Sequence, residues 1–253
     1  VKEINLLGQN VNAYRGPMHD GSTADLALLI HYVSAIDGIE RIRFTTSHPK
    51  DLSDELIECF GALPKLCKHL HLPVQCGSDR ILRAMNRGYT RERYLEVVDR
   101  LRRVCPEIRL TTDIIVGFPG ENDADFAETM SLLEEVRFAE LYSFIFSPRK
   151  GTAAADLEDE TPAEVKQVRF DRMLAMQQDI SREIWQTDVG AVLKVLVEGE
   201  SRMGGGQIFG RTSWNRIVNF TGSSELSGHI VPVRITRSYR NSLLGELSEN
   251  LGR

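Results

Sequence analysis

Polar and glycine residues follow each of five apolar segments in the first 150 residues, and these residue types could bind a ligand. Their amide, hydroxyl and carboxylate groups can hydrogen-bond a polar molecule, while Gly117 and Gly120 would let it approach the backbone closely. The sequence contains no paired-carboxylate acid and base set, His-rich metal cluster, G-x-S-x-G motif or P-loop. The pattern indicates binding of a polar ligand without an obvious proton-transfer dyad. The five polar segments that carry these residues are 8–12, 45–49, 73–78, 113–121 and 142–149.

The apolar segments before them read as buried strands, and amphipathic helical stretches separate them. Ser22, Ser53 and Thr90 are helix start signals. This alternation predicts an α/β domain with parallel strands, open or curling toward a barrel. Because ligands of such folds bind at the carboxyl ends of the strands, we expect the polar segments to meet at one mouth. The predicted strands span residues 1–7, 39–45, 69–74, 108–116 and 141–146.

A different pattern begins near residue 187. Pro162 starts a long amphipathic helix predicted to end near Gln186, and after Gly190 the hydrophobic residues alternate with period two. Gly/Ser turns separate five short strands, which is typical of a small barrel of the kind that binds oligonucleotides. We therefore divide the chain into residues 1–186 and 187–253. The predicted strands of the second part span residues 192–198, 207–211, 216–220, 230–237 and 242–247.

The formal charge is distributed unevenly along the 253 residues. The net charge of the chain is −5, but residues 187–253 carry +2 and the preceding residues carry −7. We expect nucleic acid, if bound, to contact mainly the C-terminal part, where arginines could meet phosphates and aromatic rings could stack on bases. In the alternative interpretation, Phe209 and Phe220 are barrel core and the arginines only solubilise the surface. The candidate RNA-binding residues are Arg202, Arg211, Trp214, Asn215, Arg216 and Asn219.

The cysteines and histidines do not predict a metal site. The four cysteines are spaced 8, 9 and 29 residues apart, which fits neither a zinc site nor a run that binds an iron–sulfur cluster, so we expect buried thiols. His69 and His71 alternate on one strand and are expected to fill a pocket rather than bind a metal. Without a signal peptide or an apolar run long enough for a membrane span, the chain is expected to be a cytoplasmic monomer.

Several motifs, in their order and spacing, resemble those of the radical S-adenosylmethionine (SAM) methylthiotransferases. The α/β part carries Gly-Gln-Asn-Val-Asn at 8–12, Thr-Ser-His-Pro at 46–49, His-Leu-Pro-Val-Gln-x-Gly-Ser-Asp at 71–79, Met-Asn-Arg-Gly-Tyr-Thr at 85–90, Asp-Ile-Ile-Val-Gly-Phe-Pro-Gly-Glu at 113–121 and Tyr-Ser-x-x-x-Ser-Pro-Arg at 142–149. The C-terminal motifs are similar to the RNA-contacting TRAM domain of that family: Gly-Arg-Thr-x-x-Asn-Arg-x-Val-Asn-Phe at 210–220 and Asn-Ser-Leu-x-Gly at 241–245. The implied fold is α/β, a partial parallel (β/α) radical SAM barrel followed by a small all-β, OB-like TRAM barrel.

Within the family, the motif at 8–12 resembles the MiaB-type branch, which acts on isopentenylated tRNA adenosine. The resemblance implies conversion of N6-isopentenyladenosine next to the anticodon into its 2-methylthio derivative, with SAM as radical source and methyl donor. It also implies 4Fe–4S clusters in the complete protein, the tRNA anticodon stem-loop as substrate, and sulfur and electron donor proteins as partners. The branches acting on threonylcarbamoyl-adenosine in tRNA or on a ribosomal protein stay open as alternatives.

Family members hold their SAM-cleaving cluster in a C-x-x-x-C-x-x-C loop and a second cluster in an N-terminal domain, and both would lie before Val1. The resemblance therefore implies that this chain alone is inactive, and it names no catalytic residue. Cys76 stands where the family usually has serine. By resemblance, the SAM-binding residues are Gln9 and Asn10 near the methionyl amino group, Ser47 and Gln75 at the carboxylate and ribose, Gly117 and Phe118 at the adenine edge, and Ser78 and Asp113 as further polar contacts.

Two hypotheses from other classes stay open. The missing cluster cysteines favour, for this chain alone, an RNA-binding module whose barrel is an inert scaffold. An unrelated barrel enzyme acting on a phosphorylated metabolite is the other possibility, but the sequence offers no phosphate-binding glycine pattern or catalytic dyad for it.

Overall fold

The computed structural model describes residues 1–45, 47–159, 161–202 and 204–249. Thr46 of the motif at 46–49 and the last four residues of the predicted second domain lie outside these ranges. The described chain forms an α/β domain followed by a closed all-β barrel. The long helix of the first domain ends at Gln186, and the domain boundary placed there stays a prediction.

The described residues of the α/β domain form seven strands, of which five are the predicted ones. Strand β1 pairs in parallel with β4, and β5, β6 and β7 form a second parallel sheet. A parallel bridge between Ile42 and Leu66 extends the first sheet toward the second. The strands are β1 (Glu3–Leu6), β2 (Arg15–Pro17), β3 (Thr23–Asp25), β4 (Arg41–Phe44), β5 (His69–His71), β6 (Arg109–Val116) and β7 (Glu140–Ile145).

Helices alternate with these strands as an α/β fold requires. Ser53 and Thr90 are confirmed as helix caps, since their side chains accept hydrogen bonds from the backbone N–H groups of Leu56 and Arg93. The expectation for Ser22 is wrong. Residues 23–25 pair with 15–17 as a hairpin, so the cap is Asp25. The helices are α1 (Leu26–Ser34), α2 (Asp54–Ala62), α3 (Asp79–Ala84), α4 (Arg91–Val104), α5 (Asp123–Val136) and α6 (Ala163–Gln186).

The C-terminal barrel has the five strands that the period-two pattern predicts, with ends shifted by two residues at most. Its strands close in the order β10-β12-β11-β8-β9, which leaves no open sheet edge. Phe220 is fully buried in its core, as the alternative interpretation expected, whereas Phe209 is half-buried. The strands are β8 (Val192–Glu200), β9 (Gln207–Arg211), β10 (Ile217–Thr221), β11 (Ile230–Ser238) and β12 (Leu243–Leu247).

Four side chains, which we name the junction stack, pack the two domains together. The Arg109 guanidinium lies 4.8 Å from the Trp185 ring centroid and 4.5 Å from that of Trp214. The Arg216 guanidinium also packs on Trp185, 4.5 Å from the ring centroid. Because Arg109 begins β6, the C-terminal barrel packs near the amino ends of the α/β strands. The opposite, carboxyl ends are left for a ligand.

Buried arginines of β4 strengthen the same interface. Arg41 donates hydrogen bonds to the carbonyl oxygens of Lys194 and Arg211, each at 2.7 Å. Arg43 donates to the carbonyls of Thr212 and Ser213 at 3.2 and 3.3 Å. Hydrogen bonds from charged donors contribute more to stability than neutral ones, so these contacts hold the loop before β10 against the α/β domain.

Candidate functional site

A cavity of about 700 Å³ lies at the carboxyl ends of β6 and β7, and we name it the strand-end cavity. Three of the eight predicted SAM-binding residues line it: Gln75, Asp113 and Phe118. The aromatic rings of Phe144 and Phe146 supply apolar wall. A cavity of this size, largely apolar with a few polar groups, is suited to a small organic ligand.

Gln75 reaches the cavity through an unusual backbone conformation. Its φ is +73°, a left-handed value that is uncommon for residues other than glycine, and only 8% of the residue is exposed. Its N–H donates to the Asp113 carbonyl at 2.9 Å, and its own carbonyl accepts from the Ile115 N–H at 2.9 Å. Such conformations cost about 1–3 kcal/mol and cluster at functional sites. Two hydrogen bonds from the β6 backbone therefore hold Gln75 in a left-handed conformation, which is uncommon at the end of a strand.

Asp113 lies within a polar cluster across three strands. His71 Nε2 is 3.4 Å from Asp113 Oδ1, and His71 Nδ1 is 3.0 Å from the Thr111 hydroxyl. The His71 ring meets the Tyr142 ring edge-on at 5.5 Å between centroids. The neighbouring His69 is buried, and burial lowers its pKa to about 3, so it is neutral near pH 7. These groups orient Asp113 at the cavity wall.

The loop after β6 positions Phe118 beside the cavity. Phe118 is 4% exposed and meets Phe146 edge-on at 5.2 Å between ring centroids. Gly117 has φ +72°, and a Cβ there would come within 2.6 Å of the Lys166 side chain. From the sequence we expected this glycine to let a ligand approach the backbone, but its close neighbour in the structure is the Lys166 side chain of α6. Gly117 is thus required first for packing.

The Ser78 hydroxyl is engaged inside the protein. It donates to Asp125 Oδ1 at 2.7 Å, and Ser78 is only 2% exposed. Asp125 in turn accepts from the Asn122 N–H and pairs with Arg80, which fixes the start of α5. The structure therefore gives Ser78 a partner other than the cofactor, because the sequence could not show that α5 begins beside it.

The ends of β1 and β4 carry buried polar atoms that have no partner in the described structure. They are Asn10 Oδ1 and the Ser47 hydroxyl. The Asn10 amide nitrogen donates a hydrogen bond to Asp51 Oδ2 at 2.7 Å, while the Gln9 side chain is exposed. Buried polar atoms are rarely unpaired in folded proteins, and a site whose ligand supplies the partner is one explanation. These atoms fit a polar ligand end such as the methionyl group of SAM.

Three of the six predicted RNA-binding side chains are held at the domain junction or inside the barrel. Arg216 is 4% exposed and pairs with Glu140 at 3.0 Å, and the Trp214 indole N–H donates to the Glu107 carbonyl at 3.0 Å. Asn219 is buried and accepts from the Ser201 hydroxyl at 2.7 Å. The contacts of Arg216 and Trp214 depend on how the domains dock, and that of Asn219 on how the barrel closes, neither of which periodicity reveals.

The other three predicted residues remain accessible to a ligand. Arg202 is exposed in the loop after β8. Arg211 is half-buried and forms an ion pair with Glu198 at 3.0 Å, while Asn215 has φ +65° in the turn before β10. Both side chains of this ion pair are about one-third exposed, and water weakens such pairs, so a phosphate could displace Glu198 from Arg211.

The thiols do not fit an iron–sulfur cluster. All four cysteines are free and buried, and within the described residues no three or more His, Cys, Asp or Glu side chains are placed to hold a metal ion. Cluster ligands are thiolates, whereas burial raises the pKa of Cys76 to about 11. In the part of the chain that the structure describes, no helix has the length and apolar character to cross a membrane.

Comparison with known proteins agrees with the geometry. Residues 1–133 match the model of the radical SAM superfamily, and residues 186–248 match the TRAM domain. A protein of Syntrophotalea carbinolica named tRNA-2-methylthio-N(6)-dimethylallyladenosine synthase is 64% identical over 97% of this chain and 56% of its own length. Proteins of the same name from Alkalilimnicola ehrlichii and Methylococcus capsulatus are each 55% identical over 98% of this chain, covering 55% and 54% of their lengths.

The chain thus spans about half the length of the curated relatives it matches. Among solved structures, coproporphyrinogen III oxidase from Escherichia coli, described as a radical SAM enzyme, is similar with a TM-score of 0.49. It shares 12% identity, and the match covers 86% of this chain and 55% of that one. The match to the superfamily model covers more than half of the sequence. The chain therefore belongs to the radical SAM superfamily and carries a TRAM domain after its α/β barrel.

Proposed function

We propose that this chain forms the SAM-binding and tRNA-binding part of a tRNA methylthiotransferase. The reaction is conversion of N6-isopentenyladenosine next to the anticodon into its 2-methylthio derivative. The observation that carries the proposal is the 64% identity, over nearly the whole chain, to a relative named for this product. The alternatives acting on threonylcarbamoyl-adenosine or on a ribosomal protein are less supported, because the three relatives described above all carry the same name.

The strand-end cavity supports SAM as the ligand. Its aromatic wall, with Phe118 at one side, suits the adenine ring. The Gln75 amide can donate hydrogen bonds to the ribose hydroxyls or accept them, and the Asp113 carboxylate can accept them. The unpaired Asn10 and Ser47 atoms offer partners for the amino and carboxylate groups of the methionyl end. Bound SAM supplies the radical-generating cleavage and the methyl group.

The clusters of the family do not fit the cysteines of this chain. We therefore propose that other parts of the complete enzyme hold the 4Fe–4S clusters and receive sulfur and electrons from donor proteins. The residues described here then bind and orient SAM and exclude water from its adenosyl end. For the isolated chain, the same fact favours the second candidate, an RNA-binding module that does not turn over.

The tRNA anticodon stem-loop is the proposed macromolecular partner. Arg202, Arg211 and Asn215 are the predicted RNA-binding residues that remain accessible, and the TRAM domain carries a net charge of +2 in a chain whose net charge is −5. Arg216 and Trp214 instead support the domain packing on which this surface depends, and Asn219 is bonded inside the TRAM barrel.

Isothermal titration calorimetry with SAM tests the cavity assignment. We expect weak binding, because no cluster iron chelates the methionyl group, and a further loss of at least about fivefold in Gln75→Asn and Asp113→Asn. Asparagine tolerates the left-handed backbone at position 75, so that variant shortens the side chain without adding strain. Asp171→Asn on the exposed face of α6 is the matched control. Equal SAM affinity in all four proteins would refute the assignment.

A further inference from the structure

A second cavity, of about 590 Å³, lies between β7, α6 and the TRAM domain, and we name it the junction cavity. Side chains from both domains line it, among them Tyr142, Arg182, Tyr239 and Arg240. Two of the aromatic side chains are substantially exposed, Tyr142 at 53% and Tyr239 at 45%. No sequence pattern connects Arg182 with Tyr239 and Arg240, because they come together only in the folded chain.

The cations of the cavity stand out against the charge of the α/β domain. Residues 1–186 carry a net −7, which would repel a phosphate backbone held by the TRAM domain. Arg182 near the end of α6 and Arg240 in the turn before β12 place positive charge at the boundary. Arg182 forms an ion pair with Asp179 on the exposed face of its own helix, a contact of little energetic weight. The junction cavity therefore places positively charged side chains next to an acidic domain, where they can contact phosphates.

The exposed face of β7 connects the junction cavity with the strand-end cavity. Tyr142 lines the first and Phe144 lines the second, and residues two apart in a strand share one face. Phe144 is also 53% exposed. Tyr142 of β7 lies opposite Asp113 of β6, and Asp113 lines the strand-end cavity. The linings of the two cavities therefore meet across one pair of neighbouring strands. Exposed aromatic rings beside arginines are the elements by which proteins hold unpaired nucleic acid.

We propose that the junction cavity binds an unpaired RNA segment, whose bases stack on Tyr142 and Tyr239 and whose phosphates contact Arg182 and Arg240. The segment runs along β7 toward the strand-end cavity. This inference rests on the proposed function, in that the RNA is the loop of the tRNA substrate, and it goes further by making the binding site a composite of both domains. RNA recognition then depends on the unpaired state of the loop and on the fixed docking of the TRAM domain.

Fluorescence anisotropy with two labelled RNAs of equal length tests the inference on the whole chain. One RNA is a hairpin with an unpaired loop, and the other is a blunt, fully paired duplex. We expect the chain to prefer the hairpin. The double variant Arg182→Ala with Arg240→Ala should lower the slope of log affinity against log salt by about 1.4, that is, about 0.7 for each lost single-strand phosphate contact. Tyr142→Ala should weaken hairpin binding roughly 5- to 150-fold and leave the slope unchanged.

Exposed residues outside the cavity lining serve as matched controls: Arg172→Ala on α6 and Tyr32→Ala on α1. Thermal melting monitored by circular dichroism identifies any variant that loses its fold, and Tyr239→Ala then replaces Tyr142→Ala. If the chain binds neither RNA at low salt, both this inference and the proposed function fail. If it binds the hairpin but the cavity variants behave like the controls, only this inference fails.

Discussion

Replacing Arg216 with alanine should destabilise the protein rather than remove an RNA contact. Arg216 donates to Glu140 Oε1 at 3.0 Å and to the carbonyls of Tyr239 and Arg240 at 2.6 and 2.8 Å. It also stacks on Trp185. Burial lowers the pKa of the guanidinium while Glu140 raises it, which leaves an arginine charged at any accessible pH.

The structure sets the size of the expected loss. Breaking a buried ion pair costs about 3–5 kcal/mol when the partner stays buried, but the Glu140 side chain is 42% exposed and water can solvate it. Two carbonyls lose a charged donor, and one cation–π contact of about 0.5–2 kcal/mol disappears. We therefore expect Arg216→Ala to lower the free energy of unfolding by about 2–4 kcal/mol. Arg216→Lys keeps the charge but loses the planar fork, and should lose about half as much.

Urea unfolding followed by tryptophan fluorescence measures this loss at the right place. The sequence contains two tryptophans, Trp185 and Trp214, and both belong to the junction stack. Arg202→Ala, at an exposed position, is the control and should leave the urea midpoint within error. An Arg216→Ala protein with an unchanged midpoint and a smaller salt slope for RNA binding would refute the interface role and restore the sequence interpretation.

Three further predictions follow from the described contacts. Gly117→Ala should lower the thermal midpoint far more than Gly120→Ala. Both glycines have positive φ, but a Cβ at position 117 would come within 2.6 Å of Lys166, whereas the nearest neighbour of a Cβ at position 120 is 3.9 Å away. Equal midpoints would contradict the packing role of Gly117. Because burial lowers the pKa of His69 to about 3, below its unfolded value of about 6.5, the unfolded state binds the extra proton and stability falls as pH decreases through 6.5. His69→Asn should therefore show a drop in unfolding free energy between pH 7 and 5 that is smaller than the wild-type drop by up to about 2 kcal/mol, and identical drops would show that His69 titrates normally. Finally, anaerobic reconstitution of the chain with iron and sulfide should leave no four-iron four-sulfur absorbance, whereas a stoichiometric cluster lost on Cys76→Ser would overturn our reading of the buried thiols.

Local patterns predicted the secondary structure well. Buried strands, capping residues such as Ser53 and Thr90, and the period-two strands of the TRAM domain are all encoded over a few residues. The hairpin of β2 and β3 was missed because its strands are three residues long, too short for a periodicity to be visible.

The site was only partly predictable. Gln75, Asp113 and Phe118 share a cavity because parallel strands bring their carboxyl ends together, a rule that follows from topology alone. The roles of Ser78, Trp214 and Arg216 depend on the docking of α5 and of the TRAM domain. An exposed arginine and a buried interdomain arginine look the same in a sequence, so such contacts appear only in the folded protein.

A chimera tests the central claim, that this chain carries the SAM and tRNA machinery of a methylthiotransferase, most directly. In the Syntrophotalea carbinolica relative, the matching 56% of the length would be replaced by this chain, and the chimera expressed in a bacterium that lacks the activity. Mass spectrometry of digested tRNA then measures the modified adenosines. We predict that the 2-methylthio derivative of N6-isopentenyladenosine reappears, and that it is reduced when the chimera carries Gln75→Asn. Unmodified N6-isopentenyladenosine in cells containing abundant, folded chimera would contradict the account.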